Sequence, residues 1–167
     1  SEQTGGAAVA ANRLLNALNK QGVKAKMLVR EKETDKLTVV GLRKSWRTKW
    51  HFLWERLCIY AKLHFNKQHL FEIDIANSGV DITKLPEFKE ADVIHLSWIN
   101  QGMLSLDGIQ KIIKSGKAII WTMHDLWPAT AICHYARGCK YYEDGCHNCS
   151  LLPYGGSNND LAATVWN

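Results

Sequence analysis

The segment from residue 118 to residue 149 constrains the fold of this chain more than any other. Residues 118–121 (AIIW) form a short apolar run that predicts a buried β-strand, and His124 and Asp125 follow it closely. In open α/β sheets, ligands bind beyond the carboxyl ends of the strands, so this pair is a candidate catalytic site. The next part of the chain holds a cluster of four cysteines, Cys133, Cys139, Cys146 and Cys149.

The spacing of these cysteines, C-x5-C-x6-C-x2-C, contains one tight chelating turn, between Cys146 and Cys149. Four thiolates would hold a structural zinc ion in a closed tetrahedral site, which leaves no coordination position for catalysis. His134 or His147 would be able to replace one thiolate. Two alternatives stay open: four reduced thiols without a metal, and two disulfides, which a reducing cytoplasm disfavours. We rank zinc first, reduced thiols second and disulfides third.

Helices and strands alternate along the rest of the chain. Apolar residues at helical spacing and helix-stop signals predict helices over 7–19, 44–64 and 105–114. Short β-branched runs predict strands over 25–29, 37–40, 91–96 and 118–121, with an extended segment at 71–75. Single helices between strands favour parallel pairing, so we predict one α/β domain with a Rossmann-like, doubly wound parallel sheet.

Gly5 and Gly6 stand directly before the first predicted helix. Glycine in that place lets backbone N–H groups approach a phosphate or another anion. A plain helix start with small residues for close packing is the alternative, and the sequence alone favours it. A strand normally precedes such a turn, but only four residues do so here, so we expect the first strand of the sheet to be missing.

Four stretches of the chain, in order, resemble a known family: GGAAVAANRL from Gly5, ADVIHLSWIN from Ala91, WTMHDLWP from Trp121 and CHYARGC from Cys133. They are similar to the N-terminal domain of bacterial family 4 glycosyltransferases, especially those of capsular, exopolysaccharide and colanic-acid-type pathways. The resemblance implies a GT-B enzyme with two Rossmann-like domains. This chain would be the acceptor-side domain, over residues 1–167, and the C-terminal domain that holds the nucleotide-sugar donor would be absent from it.

The resemblance also implies transfer with retention of anomeric configuration and without an obligatory catalytic metal. His124 matches the family's strand-end histidine that reaches the donor sugar, and Asp125 is close enough in sequence to orient its ring. Ser97 stands where the group often has a second histidine. His95 lies mid-strand and is most simply a core histidine, with cleft lining as the second reading. The candidate substrate-binding residues are Gly5, Gly6, His95 and Asn100.

The predicted helix over 44–64 is strongly amphipathic and basic. Residues 43–69 hold seven Lys or Arg against one acid, whereas the whole chain carries a net charge of +5. A broad apolar face contains Trp46, Trp50, Leu53, Trp54, Leu57 and Ala61, and a narrower stripe contains Phe52, Ile59 and Leu63. Basic residues beside aromatic ones are typical of a helix in a membrane interface, where lipid-linked acceptors reside. Coverage of both stripes by protein is the alternative, and we place it slightly ahead.

Two other function classes compete with the enzyme: a nucleic-acid-binding module and a protein-interaction module, each with a zinc loop. A sequence pI near 9.0 and seven tryptophans favour the first class. However, the basic helix is remote in sequence from the cysteines, so we expect no nucleic-acid partner. No apolar run is long enough for a membrane span, and no signal-peptide pattern opens the chain. The resemblance to nucleotide-sugar enzymes implies a cytoplasmic protein, with peripheral contact at the inner membrane face as a further option.

Overall fold

The structure, a computed structural model, describes residues 1–42 and 46–167 of the chain. The five α-helices of this part are α1 (Gly6–Lys20), α2 (Trp46–Lys62), α3 (Pro86–Glu90), α4 (Leu106–Ile113) and α5 (Leu161–Trp166). The four strands that it contains are β1 (Met27–Val29), β2 (Val39–Gly41), β3 (Val93–Leu96) and β4 (Ala118–Trp121). Short 3₁₀ turns occur at Ile82–Lys84, Trp127–Ala129, Tyr141–Glu143 and Pro153–Gly155.

The predicted helices and strands are confirmed to within a few residues. Ser105 caps α4, because its hydroxyl accepts a hydrogen bond from the backbone N–H of Gly108 at 3.1 Å. Asp160 caps α5 in the same way, through the N–H of Ala163 at 2.9 Å. The predicted start of the long helix at Lys44 lies outside the described residues.

The strands form two separate parallel pairs, β1 with β2 and β3 with β4. In the second pair Val93 lies opposite Ala118 and Leu96 opposite Trp121, and α4 provides the connection between the strands. This βαβ arrangement is what the sequence predicts for parallel neighbours. A single doubly wound sheet is not shown, because the two pairs do not join in the described part of the chain; the architecture is mixed α/β.

The two pairs nevertheless contact each other through hydrophobic side chains, although Val29 and Val39 of the first pair form a small cluster of their own with Leu15. Leu28 of β1 packs against the cluster that contains Leu96 of β3 and Ile109 and Ile112 of α4. A side-chain hydrogen bond adds to this contact, since Arg30, just after β1, donates to the carbonyl of Gln101 at 2.6 Å. The carboxyl end of β1 is therefore tied to the loop that follows β3.

A second core lies between α2, the cysteine-rich loop and α5. Ile59 and Leu63 of α2 are buried in it with Ile132 and Ala162. The predicted extended segment at 71–75 enters this core, where Ile73 forms an antiparallel bridge with Cys133. The loop that begins after β4 is thereby anchored to a distant segment of the chain.

The two apolar stripes of α2 have opposite environments. The narrow stripe with Ile59 and Leu63 faces the core, whereas Trp50 and Trp54 of the broad stripe are 51% and 42% exposed. The rings of these two tryptophans stack on each other with centroids 6.1 Å apart. Protein therefore covers only one stripe in the described part of the chain. None of the helices described there is sufficiently long and apolar to span a membrane.

Candidate functional site

Four polar side chains lie side by side at the carboxyl ends of β3 and β4: His95, Ser97, Thr122 and His124. The register of the pairing places the two strand ends next to each other. The backbone N–H of Thr122 donates a hydrogen bond to the carbonyl of Leu96 at 2.9 Å. Just beyond, the hydroxyl of Ser97 lies 2.7 Å from Nε2 of His124. His124 is exposed, so its imidazole is available at the rim where α/β sheets bind ligands.

His95 is part of the same exposed surface, and the prediction that it is a core histidine is wrong. Side chains alternate between the two faces of a strand, and on β3 the partners Ile94 and Leu96 take the inward face. His95 is therefore directed outward, where its Nε2 lies 2.7 Å from the hydroxyl of Thr122. Its position is consistent with the alternative reading, in which it lines a cleft.

Asp125 forms hydrogen bonds with the loop that follows it. Its Oδ2 lies 2.6 Å from Nδ1 of His134 and accepts a hydrogen bond from the indole N–H of Trp98 at 3.1 Å. Its Oδ1 accepts from the backbone N–H of Trp127 at 3.0 Å. Orientation of the His124 ring was the role expected for Asp125. Instead, the hydrogen bonds recorded in the described part of the chain pair His124 with Ser97.

His134 connects this exposed rim to a buried charge network. Its Nε2 lies 2.7 Å from Oδ2 of Asp74, whose other carboxylate oxygen accepts a hydrogen bond from Arg56. Arg56 also donates to the carbonyl of Leu70 at 2.6 Å. The backbone carbonyl of Asp74 accepts from the indole N–H of Trp127 at 2.8 Å. The segments 56, 70–74 and 125–134 are thus held together by polar contacts away from water.

Burial and neighbouring charges shift the pKa values of two groups in this network. Burial disfavours the imidazolium form of His134, but the hydrogen bonds and charges of Asp74 and Asp125 outweigh it and raise the pKa of His134. Glu55 is fully buried beside Arg56, and its carboxylate accepts the N–H groups of Ile75 and Ala76. Burial and the neighbouring charge of Asp74 raise the pKa of Glu55 in spite of the Arg56 guanidinium.

Asn100 lies in the turn after β3 and is almost entirely buried, with 6% of its surface exposed. Its side-chain Nδ2 is buried and has no hydrogen-bond partner among the described residues, which is uncommon for a buried polar group. The turn packs directly on α2, since a Cβ at Gly102 would lie 2.6 Å from the backbone nitrogen of Phe52. Asn100 thus occupies a fixed position in the loop that also carries Ser97.

The glycine turn before α1 has its own set of contacts. Gly5 has a φ of 93°, and α1 begins at Gly6 without a side-chain cap. Nearby, the carboxylate of Glu2 accepts the N–H groups of Glu33 and Thr34, which ties this end of the chain to the loop after β1. Among the described residues, no hydrogen bond joins Gly5 or Gly6 to the ends of β3 and β4, so their expected role stays a prediction.

The four clustered cysteines line one small cavity together with His147. All of them are free thiols, and burial raises the pKa of Cys149 to about 11. Within the described residues, no three His, Cys, Asp or Glu side chains have the geometry of a metal site. The suggestion that His134 replaces a thiolate is wrong, because both of its ring nitrogens face carboxylates.

A larger cavity of about 760 Å³ lies elsewhere in the described structure. Residues of 75–79, 105–107 and 161–167, together with His51, line it. Neither His124 nor Asp125 belongs to its lining. Volume alone would favour this cavity as a ligand site, but its lining does not include any of the residues that the sequence predicts to be functional. We therefore place the candidate site at the ends of β3 and β4.

Sequence reasoning missed the buried charges Glu55, Arg56 and Asp74. Arg56 is buried and paired, although it belongs to the basic helix. A usable signal was present at Asp74, an acid between Ile73 and Ile75 in an apolar extended segment. A charge in that setting needs a buried partner, and Arg56 of α2 supplies it.

Comparison with known proteins gives a partial similarity. The chain is 32% identical over 63 residues to a protein of Escherichia coli (strain K12) provisionally named colanic acid biosynthesis glycosyl transferase WcaC. The aligned region covers 36% of this chain and 15% of that protein, so the chain matches only a small part of its relative. No protein-family model and no solved structure matches the chain.

Proposed function

We propose that the full-length protein is a glycosyltransferase that moves a sugar from a nucleotide-sugar donor to a glycan or lipid-linked acceptor in surface polysaccharide biosynthesis. The observation that carries the proposal is the exposed imidazole of His124, held by Ser97 where two paired parallel strands end. Sequence similarity to a protein named as a glycosyl transferase supports the same class.

The proposal includes the finer assignment to the retaining GT-B enzymes of family 4. Both parallel strand pairs then belong to one Rossmann-like sheet of an acceptor-side domain spanning 1–167. The shared core of Leu28 and Leu96 supports this arrangement. A donor-binding domain outside this chain would hold most of the nucleotide, so the cleft between the two domains would face the ends of β3 and β4.

In the reaction, positive charge develops on the donor sugar as the diphosphate leaves with negative charge. His124 donates a hydrogen bond to a hydroxyl of the donor sugar, and Ser97 fixes the orientation of its ring. His95 lines the cleft beside Thr122, and Asn100 belongs to the substrate-binding loop that also carries Ser97. The backbone N–H groups at Gly5 and Gly6 stabilise the departing diphosphate or the acceptor. Asp125 keeps the strand end in place. No catalytic metal takes part in these steps.

The exposed face of α2 gives the enzyme a place to meet its acceptor. Trp50, Leu53, Trp54 and Leu57 are all exposed on one side of this helix, and Lys49 and Lys62 are exposed on the same element. Exposed aromatic and basic side chains on one helix are typical of peripheral contact with an anionic membrane. A lipid-linked acceptor would then reach the site from the membrane surface.

The test of the function uses the full-length protein with a panel of nucleotide-sugar donors and a bacterial lipid extract as acceptor. Release of nucleoside diphosphate is the measured quantity. We expect His124→Ala to lower turnover by roughly 100-fold or more, because one preorganised hydrogen-bond donor is lost. The matched control is His69→Ala, which removes a half-buried ion pair with Glu72 and should leave turnover unchanged.

Two outcomes of that assay would contradict the proposal in different ways. If no donor gives acceptor-dependent release, the function class is wrong. If the unsubstituted protein is active and His124→Ala is equally active, the site assignment is wrong. Because His124 is exposed, the melting temperature of the variant should stay close to that of the parent protein.

Vesicle flotation tests the membrane contact separately. Binding to anionic vesicles should weaken at high salt, and it should be lost in the double variant Trp50→Ser, Trp54→Ser. Tyr154→Ser is the matched control, since this aromatic side chain is 95% exposed and lies outside α2. Equal flotation of both variants would contradict a membrane role for α2.

A further inference from the structure

Four thiols lie around one cavity in the loop after β4. Cys133, Cys139, Cys146 and Cys149 line a single cavity of about 20 Å³. Cys139 lies within electrostatic range of the other three thiols. A cavity needs about 10–15 Å³ to hold one water molecule, so this one has room for a single small ion.

Backbone hydrogen-bond donors lie beside two of these sulfur atoms. The N–H of Ala131 donates to Sγ of Cys146 at 3.4 Å. The N–H of Leu151 lies in the same relation to the Cys149 thiol. Such outer contacts orient and stabilise thiolate ligands in metal sites. Hydrophobic packing alone has no need for a donor beside two of four clustered sulfurs.

The loop has little other internal support. Between residues 130 and 156 its regular structure is limited, in the described chain, to two three-residue turns and the bridge at Cys133. Three residues other than glycine, Arg137, Asn148 and Tyr154, have positive φ angles in this segment. Asn148 lies inside the chelating turn from Cys146 to Cys149. A cross-link at the cavity would stabilise these unfavourable conformations.

We propose that Cys133, Cys139, Cys146 and Cys149 form a structural zinc site that fastens this loop. The donor set of four sulfurs is the one that tetrahedral zinc sites use, with Zn–S distances of about 2.3 Å. Iron–sulfur clusters use the same ligands, and iron content with a cluster spectrum would distinguish them from zinc. The sulfurs do not have ligand geometry in the described structure, so binding requires the thiol side chains to turn into the cavity.

Zinc bound to these cysteines would help to fix the position of the candidate site, because the backbone connects Cys133 directly to His134. Cys133 is the immediate neighbour of His134, which holds Asp125 at the end of β4. The Cys133 backbone is also bridged to Ile73, next to Asp74. A fixed Cys133 therefore fixes both carboxylate partners of His134 relative to each other. The zinc site does not depend on the proposed transferase activity, because a binding module would need the same fastening.

The test measures the metal content of the full-length protein, purified without an affinity tag from cells grown with added zinc. We expect about one zinc per chain by mass spectrometry of the metals, retained through dialysis. Cys146→Ser and Cys149→Ser should each lose the zinc. Cys58→Ser is the matched control, because Cys58 packs against the same core from α2 without lining the cavity, and it should keep the full content.

Cobalt substitution covers the case in which the serine variants fail to fold. Cobalt added to the unsubstituted protein should give thiolate charge-transfer absorption and the intense visible bands of a tetrahedral site, both removed by excess zinc. Absence of zinc together with absence of these bands would overturn the proposal. So would iron with a cluster spectrum, a disulfide between any two of the four cysteines, or full zinc content in both serine variants.

Discussion

Two neighbouring residues at the end of β4 have opposite environments, one exposed and one joined to a buried polar network. His124 is exposed and has Ser97 as its partner, whereas Asp125, one residue later, is linked through His134 to Asp74 and Arg56 in the interior. The first group can lose its partner to water at little cost. The second group cannot, because a buried charge without its partner is strongly unfavourable.

This difference separates two tasks that the sequence places side by side. The buried network fixes where the loop leaves the sheet, since its members come from α2, from 70–74 and from 125–134. The exposed group offers an imidazole and hydroxyls to a ligand. Substitutions in the network should therefore change stability first, while substitutions at the exposed group should change activity first.

The largest expected effect is that of Asp74→Ala. It removes the carboxylate that both Arg56 and His134 contact, which leaves Nε2 of His134 without its partner and Arg56 with the longer 3.6 Å ion pair to Glu55. We expect a loss of about 3–5 kcal/mol in the free energy of unfolding, measured by urea denaturation. Asp92→Ala, on the exposed approach to β3, is the control and should change stability by less than about 0.5 kcal/mol.

A small change in the free energy of unfolding for Asp74→Ala would contradict the contrast between the buried network and the exposed group. It would mean that water reaches Arg56 and His134 and replaces the lost carboxylate, so that the network is not a buried one. Equal effects of Asp74→Ala and Asp92→Ala would have the same meaning, because only the first acid is buried.

His134→Ala should have the next largest effect. It removes one connection on each side, to Asp74 and to Asp125, but Asp74 keeps its contact with Arg56. Loss of hydrogen bonds to charged groups predicts a destabilisation of about 1.5–3 kcal/mol by the same denaturation measurement. Hydrogen exchange should also speed up at 122–127, where Asp125 and Trp127 would lose their anchor.

His147→Ala is the matched histidine control, since it removes a hydrogen bond to the Gly145 carbonyl and a ring contact with Tyr141 in the same loop. Faster exchange at 122–127 in both variants would show that any disturbance of the loop loosens the strand end. The hydrogen bond from His134 to Asp125 would then not be what slows hydrogen exchange at 122–127.

Residue spacing was sufficient to predict the local elements but not the network. Helices α1 and α4 and strands β3 and β4 follow from apolar periodicity and capping residues, and the exposed His124 follows from its place after a strand. The pairing of Arg56 with Asp74 and of His134 with both acids depends on how α2 and two loops pack. Periodicity describes one element at a time, so it misses contacts between segments that are 18 to 60 residues apart.

The two parallel pairs illustrate the same limit. Alternating helices and strands predict parallel neighbours, and both pairs are parallel. Whether the pairs join depends on backbone edges at β1 and β3, which no side-chain pattern reports. His95 was placed wrongly for a related reason, because a histidine between two apolar residues fits either face of a strand until the neighbouring face is known to be filled.

Ser97→Ala should have the smallest effect on stability and is the sharpest test of the exposed group. Its hydrogen bond to His124 is at the surface, so we expect a change below about 1 kcal/mol in the free energy of unfolding. Turnover of the full-length protein should fall, because the imidazole loses the contact that orients it, but by less than in His124→Ala. The double variant should then be no slower than His124→Ala alone, since Ser97 acts only through His124. Additive losses in this cycle would show that Ser97 contacts the substrate by itself, and that the strand end holds two independent binding groups instead of one oriented ring.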